Sequence, residues 1–154
     1  MATLKNVSQN LFAFLDLIAW SEGTYNRGEN GYNVIVGGTL FTTYADHPRQ
    51  LITLPRLGIK STAAGRYQLL SRYYDAYKKQ LGLPDFSPLS QDKIAIQQIK
   101  EQRALDDILL GRIPQAIEKC SNIWASFPGA GYGQHEHCLG SLLEQYQKLG
   151  GTLA

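Results

Sequence analysis

The sequence predicts an α+β domain, mainly helical with one small hairpin, and three observations carry that reading. Several segments place apolar side chains at the 3.6-residue spacing of a helix face. One stretch, "VIVGGTLFTTY" (Val34–Tyr44), sets two β-branched runs either side of a Gly-Gly turn, the mark of a hairpin. The chain has 154 residues, 44% hydrophobic and 18% charged, enough for one domain with a real core and too little to expect two.

Taken in order, Ser8 to Ser21 reads as an amphipathic helix. Leu11, Leu15 and Ile18 share one face, and Gly23 is the stop signal. "GTYNRGENGYN" is loop by its Gly and Asn content, and the Val34–Tyr44 hairpin follows. Leu51 to Lys60, broken by Pro55 and Gly58, reads as irregular. "TAAGRYQLLSRYYDAYKKQLG" is a helix ended by Gly82, with Leu69, Tyr73, Ala76 and Leu81 on its apolar side. After the turn "DFSP", a helix capped by Ser90 runs through "SQDKIAIQQIKEQRAL". Shorter helical patches fall at Asp106–Leu110, Ile113–Cys120 and Ile123–Phe127. "PGAGYGQ" is a second Gly-rich loop, and His135 to Leu149 closes the chain as a helix. There is no repeat, low-complexity tract or linker.

Composition excludes several classes. A net charge of +2 is mild, and basic residues form only short clusters such as "YKKQL", so no nucleic-acid partner is expected. No apolar run approaches the roughly 20 residues that span a bilayer, so no membrane insertion is expected. Asp16 interrupts the first apolar run and no small-residue cleavage site follows. A signal peptide is therefore not expected, and the chain is placed in the cytoplasm at first. Cys120 and Cys138, the two cysteines, read as buried thiols in a reducing compartment, with a disulfide between them as the alternative.

Glu22 is the first candidate for chemistry. It lies four residues after Ile18 and seven after Leu15, on the side the helix buries. A carboxylate is costly to bury, so this one is paired, protonated or employed. The bland reading turns it to solvent or pairs it with Arg66 or Lys60. The functional reading keeps it protonated near neutrality among apolar neighbours, as a general acid for a sugar leaving group. A standard glycosidase needs a second carboxylate, and only Glu29 and Asp46 lie in the loop and hairpin region that faces Glu22.

"STAAGRYQLL" is the second candidate. Small residues let a backbone approach a ligand, Tyr67 offers a flat face to a sugar ring, and Gln68 offers an amide to an acetamido group. Its bland reading is a helix capped by Ser61 or Thr62 followed by a core aromatic. The third is "PGAGYGQHEHC", which displays Tyr132 on a Gly-rich loop. His135, His137 and Cys138, with Cys120 and His47, match no standard zinc spacing, and HExxH is absent. No metal or cofactor is expected.

The segments "AFLDLIAWSEGT", "GYNVIVGG", "LFTTYADHPR", "KSTAAGRYQLLSRYYDAYKKQLGL", "DFSPLSQD", "QQIKE" and "QAIEKCSNIWASFPGAGYGQ" together resemble the bacteriophage lambda endolysin family, colinearly over nearly the whole chain. The resemblance implies a lysozyme-like fold with a cleft between a helical lobe and a small β-containing lobe. It implies a lytic transglycosylase that cuts the MurNAc–GlcNAc β-1,4 bond of peptidoglycan without water. The family's catalytic glutamate falls on Glu22, and its binding segment falls on Ser61 to Gln68 with Ala63 in place of Gly. Its "GAGYG" loop is unchanged, so Tyr132 inherits a cleft-lining role. Two departures stand out: the loop from Glu22 to Gly31 is shorter, and Asn33 replaces an aspartate.

On this resemblance one carboxylate suffices, because the substrate's own C6 hydroxyl replaces the water nucleophile. The resemblance also implies glycan strands as the partner, a phage holin that releases the enzyme from the host cytoplasm to the wall, and, by default, a monomer. A two-carboxylate muramidase is the nearest alternative, and a non-catalytic glycan-binding module the more distant one.

Overall fold

The computed structural model of the chain describes residues 8–128 and 136–154. Helix α1 (Gln9–Glu22) is the centre of the molecule. The Ser8 side chain accepts a hydrogen bond from the Leu11 N–H at 3.1 Å and starts it. Gly23, at φ 80°, ends it with its N–H on the carbonyls of Ala19 and Trp20. The sequence suggested one buried face, but Leu11, Ala13, Phe14, Leu15, Leu17, Ile18 and Ala19 are all buried. The run "LFAFLDLIAW" is apolar nearly all round because α1 is enclosed from several sides, including by α4 (Leu105–Leu109) and α6 (Leu139–Lys148).

The β-structure is only partly where the sequence suggested. Val34–Tyr44 supplies two isolated bridges, Val34 to Leu40 within the hairpin and Ile35 to Ala64 outside it. Its turn does form, with Gly37 and Gly38 at φ 92° and 104°. Ile35 donates to Thr39 at 2.7 Å and Phe41 to Asn33 at 2.9 Å across it, while the outer edge of the first arm bonds elsewhere: Val36 donates to Ala63 at 3.0 Å, and Gly65 donates to Val34 at 2.8 Å. The antiparallel sheet instead comprises β1 (Ile52–Leu54) and β2 (Ile59–Ser61), paired Ile52 to Ser61 and Leu54 to Ile59. Pro55 and Gly58, read as breakers, are the turn itself. Leu57 donates to Leu54 at 3.1 Å and Gly58 takes φ 63°, which a glycine adopts without strain.

Helix α2 (Ser71–Leu81) starts later than its periodicity suggested. Residues 62–70 form a tight turn in which Ala64 and Leu69 exchange both backbone hydrogen bonds, at 3.0 and 2.9 Å. Gly65 (φ 85°) and Gln68 (φ 53°) bend the chain there. Helix α3 (Pro88–Glu101) is capped by Ser87, with Pro88 in its first turn, and Ser90 lies inside it. Asp85 explains the earlier start, accepting from the Ser87 N–H and the Ser90 hydroxyl at 3.0 Å each. Helices α4 and α5 (Ile113–Cys120) follow the sequence reading. Residues 123–127 are turns rather than helix, and α6 begins at Leu139, after Cys138.

Two apolar clusters result. The larger joins α1 to α6 through Phe14, Ile99, Ile108, Ile117, Trp124, Phe127 and Tyr146; the smaller gathers Ile35, Phe41, Leu69, Tyr74, Phe86 and Ile94. Both cysteines are free, and only Cys120 is buried; Cys138 is exposed, against the expectation of two buried thiols.

Candidate active site

The last turn of α1 forms one wall of the principal cavity, about 1080 Å³ in volume. Trp20, Ser21, Glu22 and Gly23 come from that turn; Leu54, Pro55, Arg56 and Leu57 come from the hairpin turn; and Val36, Ser126 and His137 complete the lining. Glu22 is the final helical residue, so its carboxyl stands beside the partial negative charge of the helix C-terminus. Half-buried and surrounded by apolar side chains, it is pushed up to about 7 by burial, with a hydrogen bond from Ser126 acting the other way. A carboxyl at that value is about half protonated at neutrality.

Ser126 is itself held in place. Its hydroxyl shares a 2.6 Å hydrogen bond with the Ser21 hydroxyl, and its carbonyl accepts from the His137 N–H at 2.9 Å. The His137 ring donates to the Ser21 carbonyl at 3.2 Å and lies against Trp20, ring centres 4.6 Å apart. Helix end, Ser126 and His137 therefore form one clasp around the acid.

Beneath the cavity lies a buried polar network. Arg66 is fully buried and donates to Asp16 at 2.7 Å, to the Asn30 carbonyl at 3.0 Å and to the Tyr67 hydroxyl at 3.1 Å. Asp92 accepts from Tyr67 at 2.5 Å and from Tyr32 at 2.9 Å. Thr24 ties the residue after the helix stop to this network, donating to the Arg66 carbonyl at 2.5 Å. Arg66 thus pairs with Asp16, not with Glu22, and Asp16 explains itself as the partner that makes a buried guanidinium tolerable.

Of the described candidate residues, Glu22 and His137 lie in this cavity. Tyr67 is in the main core at 5% exposure, its hydroxyl engaged by Asp92 and Arg66, so its ring does not face the Glu22 cavity. Gln68 turns its amide to the carbonyls of Gly65 and Val34 and lines a separate groove with Tyr73 and Asn122. Ser61 ends β2 and accepts from the Ala63 N–H at 3.1 Å, as a cap does. Tyr132 and His135 lie outside the described residues. Glu29 accepts from Asn33 at 3.1 Å, and Asp46 is paired on the surface with Arg49 at 2.8 Å; neither lines the cavity. Asn33 braces its loop by also accepting from the Glu29 N–H at 2.8 Å. Among the described residues no three of His, Cys, Asp and Glu are placed to hold a metal ion.

The Endolysin family model matches residues 12–153. The chain belongs to the endolysin family. Among its relatives, the endolysin of Escherichia phage lambda is 64% identical over 146 residues, covering 92% of this chain and 91% of that protein. The endolysin of Escherichia phage P2 is 53% identical over 161 residues, covering 97% and 98%. The crystallised bacteriophage lambda lysozyme in complex with a chitohexasaccharide superposes with a TM-score of 0.93 at 58% identity, covering 98% of this chain and 100% of that one. A second structure of lysozyme from bacteriophage lambda gives 0.88 at the same identity and coverage. The family fold is thus the lysozyme-like α+β architecture that the sequence resemblance implied.

Sequence reasoning missed Ser126 and the hairpin turn, and weighed His137 only as a metal ligand. Ser21 and Ser126 are 105 residues apart in the chain, and nothing in "NIWASFPG" marks one serine as the partner of a distant helix end. The doubled serine contact became visible only once the chain was folded.

Proposed function

We propose that this endolysin-family chain is a lytic transglycosylase of peptidoglycan that works with one carboxyl group. The observation that carries the reading is the lining of the main cavity. Glu22 is its only carboxyl among the described residues, and residues 1–7 and 129–135 contain no Asp or Glu. The sugar bound to the lambda relative, a chitohexasaccharide, supports a glycan strand as the ligand.

Protonated Glu22 gives its proton to the glycosidic oxygen, and the bond from that oxygen to C1 of MurNAc breaks. The resulting carboxylate takes the proton of the C6 hydroxyl, whose oxygen closes on C1 as a 1,6-anhydro ring. One C–O bond breaks and one forms, no water is consumed, and Glu22 ends protonated. Because the nucleophile belongs to the sugar, it is present at high effective concentration. A hydrolase with two carboxylates would need a second acid across the cavity, and none of the described lining residues supplies it. The family resemblance supports host lysis as the role, release through a holin as the route from cytoplasm to wall, and Tyr132 as a further sugar contact.

Mass spectrometry of muropeptides released from purified Gram-negative sacculi tests this reading. Products ending in 1,6-anhydroMurNAc, one water lighter than reducing ends, are expected. Reducing MurNAc ends would establish hydrolysis, and release of nothing by folded protein would establish a glycan-binding module.

A further inference from the structure

Arg56 stands at the tip of the β1–β2 hairpin and lines the same cavity as Glu22. The walls around it are apolar or neutral: Leu54, Pro55 and Leu57 beside it, Val36 and Trp20 beyond. It is the only lysine or arginine among the described lining residues, and no carboxylate of the described chain forms an ion pair with it. The arginines that have partners show the contrast. Arg49 is engaged by Asp46 and Asp75, Arg66 by Asp16, and Arg112 by Asp107. Arg56 is exposed, and the shift on Glu22 has burial and Ser126 as its causes, with no part from Arg56. Its charge is therefore directed neither at the acid nor at another element of the fold.

We infer that Arg56 is a specificity residue that binds a carboxylate carried by the glycan substrate. The inference rests on the peptidoglycan reading above. A planar guanidinium suits bidentate recognition of a carboxylate better than a neutral sugar hydroxyl. Wall glycan differs from chitin in this chemistry: MurNAc bears a lactyl carboxyl, which is free in stripped strands and amide-linked to a stem peptide with its own carboxylates in intact ones. A neutral chitin oligomer offers neither. Placed on a hairpin tip, the charge meets side groups that project from the strand, while the reacting bond stays against the helix end.

Affinity measured in the Glu22→Gln background tests the inference, using the fluorescence of Trp20 in the cavity wall. Three ligands of matched length serve: peptide-bearing strands, strands stripped to the free lactyl carboxylate, and chitohexaose. Adding Arg56→Gln is expected to weaken binding of at least one carboxylate-bearing ligand about fivefold, the scale of a partly exposed ion pair, and to leave chitohexaose unchanged. Arg56→Lys keeps part of the difference, and added salt narrows it. Loss confined to peptide-bearing strands assigns the stem carboxylate; loss on stripped strands assigns the lactyl group. An equal loss on all three ligands, or on none, overturns the inference. Strand cleavage by the Glu22→Gln protein during the titration would count against the single-acid mechanism instead, and is read separately as product.

Discussion

At the residue scale, the proposed activity rests on how Glu22 is kept protonated. Glu22→Gln preserves size and removes the proton shuttle. The variant is expected to keep the wild-type thermal midpoint and to lose at least about a thousandfold of its clearing activity on purified sacculi, the scale on which essential acid–base groups act. Near-normal clearing would sink the assignment. The pH profile follows from the same group. On the proposed mechanism the acid form must be present before the bond breaks, and burial pushes Glu22 up to about 7, so activity is expected to fall as pH rises through neutrality. The Ser126 hydrogen bond favours the carboxylate and holds that value down. Ser126→Ala therefore moves the alkaline limb of kcat/KM to higher pH, a displacement that a merely looser fold would not produce. An unmoved limb would show that Ser126 acts only through packing against Ser21.

At the element scale, local signals decided starts and stops where the deciding atoms are close in sequence. Gly23 and Gly82 stop their helices as the sequence suggested because a cap is made within a few residues of itself. The Val34–Tyr44 hairpin stays short because, beyond the bonds from Ile35 to Thr39 and from Phe41 to Asn33, its first arm turns its outer edge to Ala63 and Gly65. The same turn supplies a stability test. A Cβ on Gly65 would lie 2.5 Å from the Gln91 side-chain oxygen and 2.9 Å from the Phe86 ring, at a φ of 85° that L-residues rarely adopt. Gly65→Ala is expected to cost about 2–4 kcal/mol, from strain at positive φ and overpacking together, read as a lower urea midpoint. A change within about 0.5 kcal/mol would mean that the turn relaxes freely.

At the scale of the whole molecule, the two clusters are joined by groups that are buried and polar. The Arg66 network ties α1 to the 24–33 loop, the 64–69 turn and α3, which fixes the helix end carrying Glu22 against the rest of the fold. His47 plays a comparable part in the smaller cluster. Its ring donates to the Leu69 carbonyl at 2.8 Å and accepts from the Arg49 N–H at 3.0 Å, an arrangement that only the neutral ring can make. Burial accordingly lowers its pKa from the ordinary 6.5. The unfolded chain then binds the proton more readily, so this contribution is present above pH 6.5 and is lost as the pH falls below it. In the Glu22→Gln background, which removes the opposite titration of Glu22, urea midpoints between pH 7.5 and 5 are expected to fall, and to fall less when His47→Gln is added. Parallel curves would show that His47 contributes nothing to the acid sensitivity.

The sequence by itself determined the α+β class, the first helix with its Gly23 stop, and Glu22 as the candidate acid, because each is written in spacing along a single segment or in a colinear family motif. It did not determine that Tyr67 is core, that Ser126 and His137 clasp the helix end, or that Pro55 and Gly58 turn a hairpin over the cavity. Those depend on which distant backbone and side-chain groups satisfy one another once water is excluded. That competition is settled only by tertiary packing, since a buried donor or acceptor takes whichever partner the fold brings within reach.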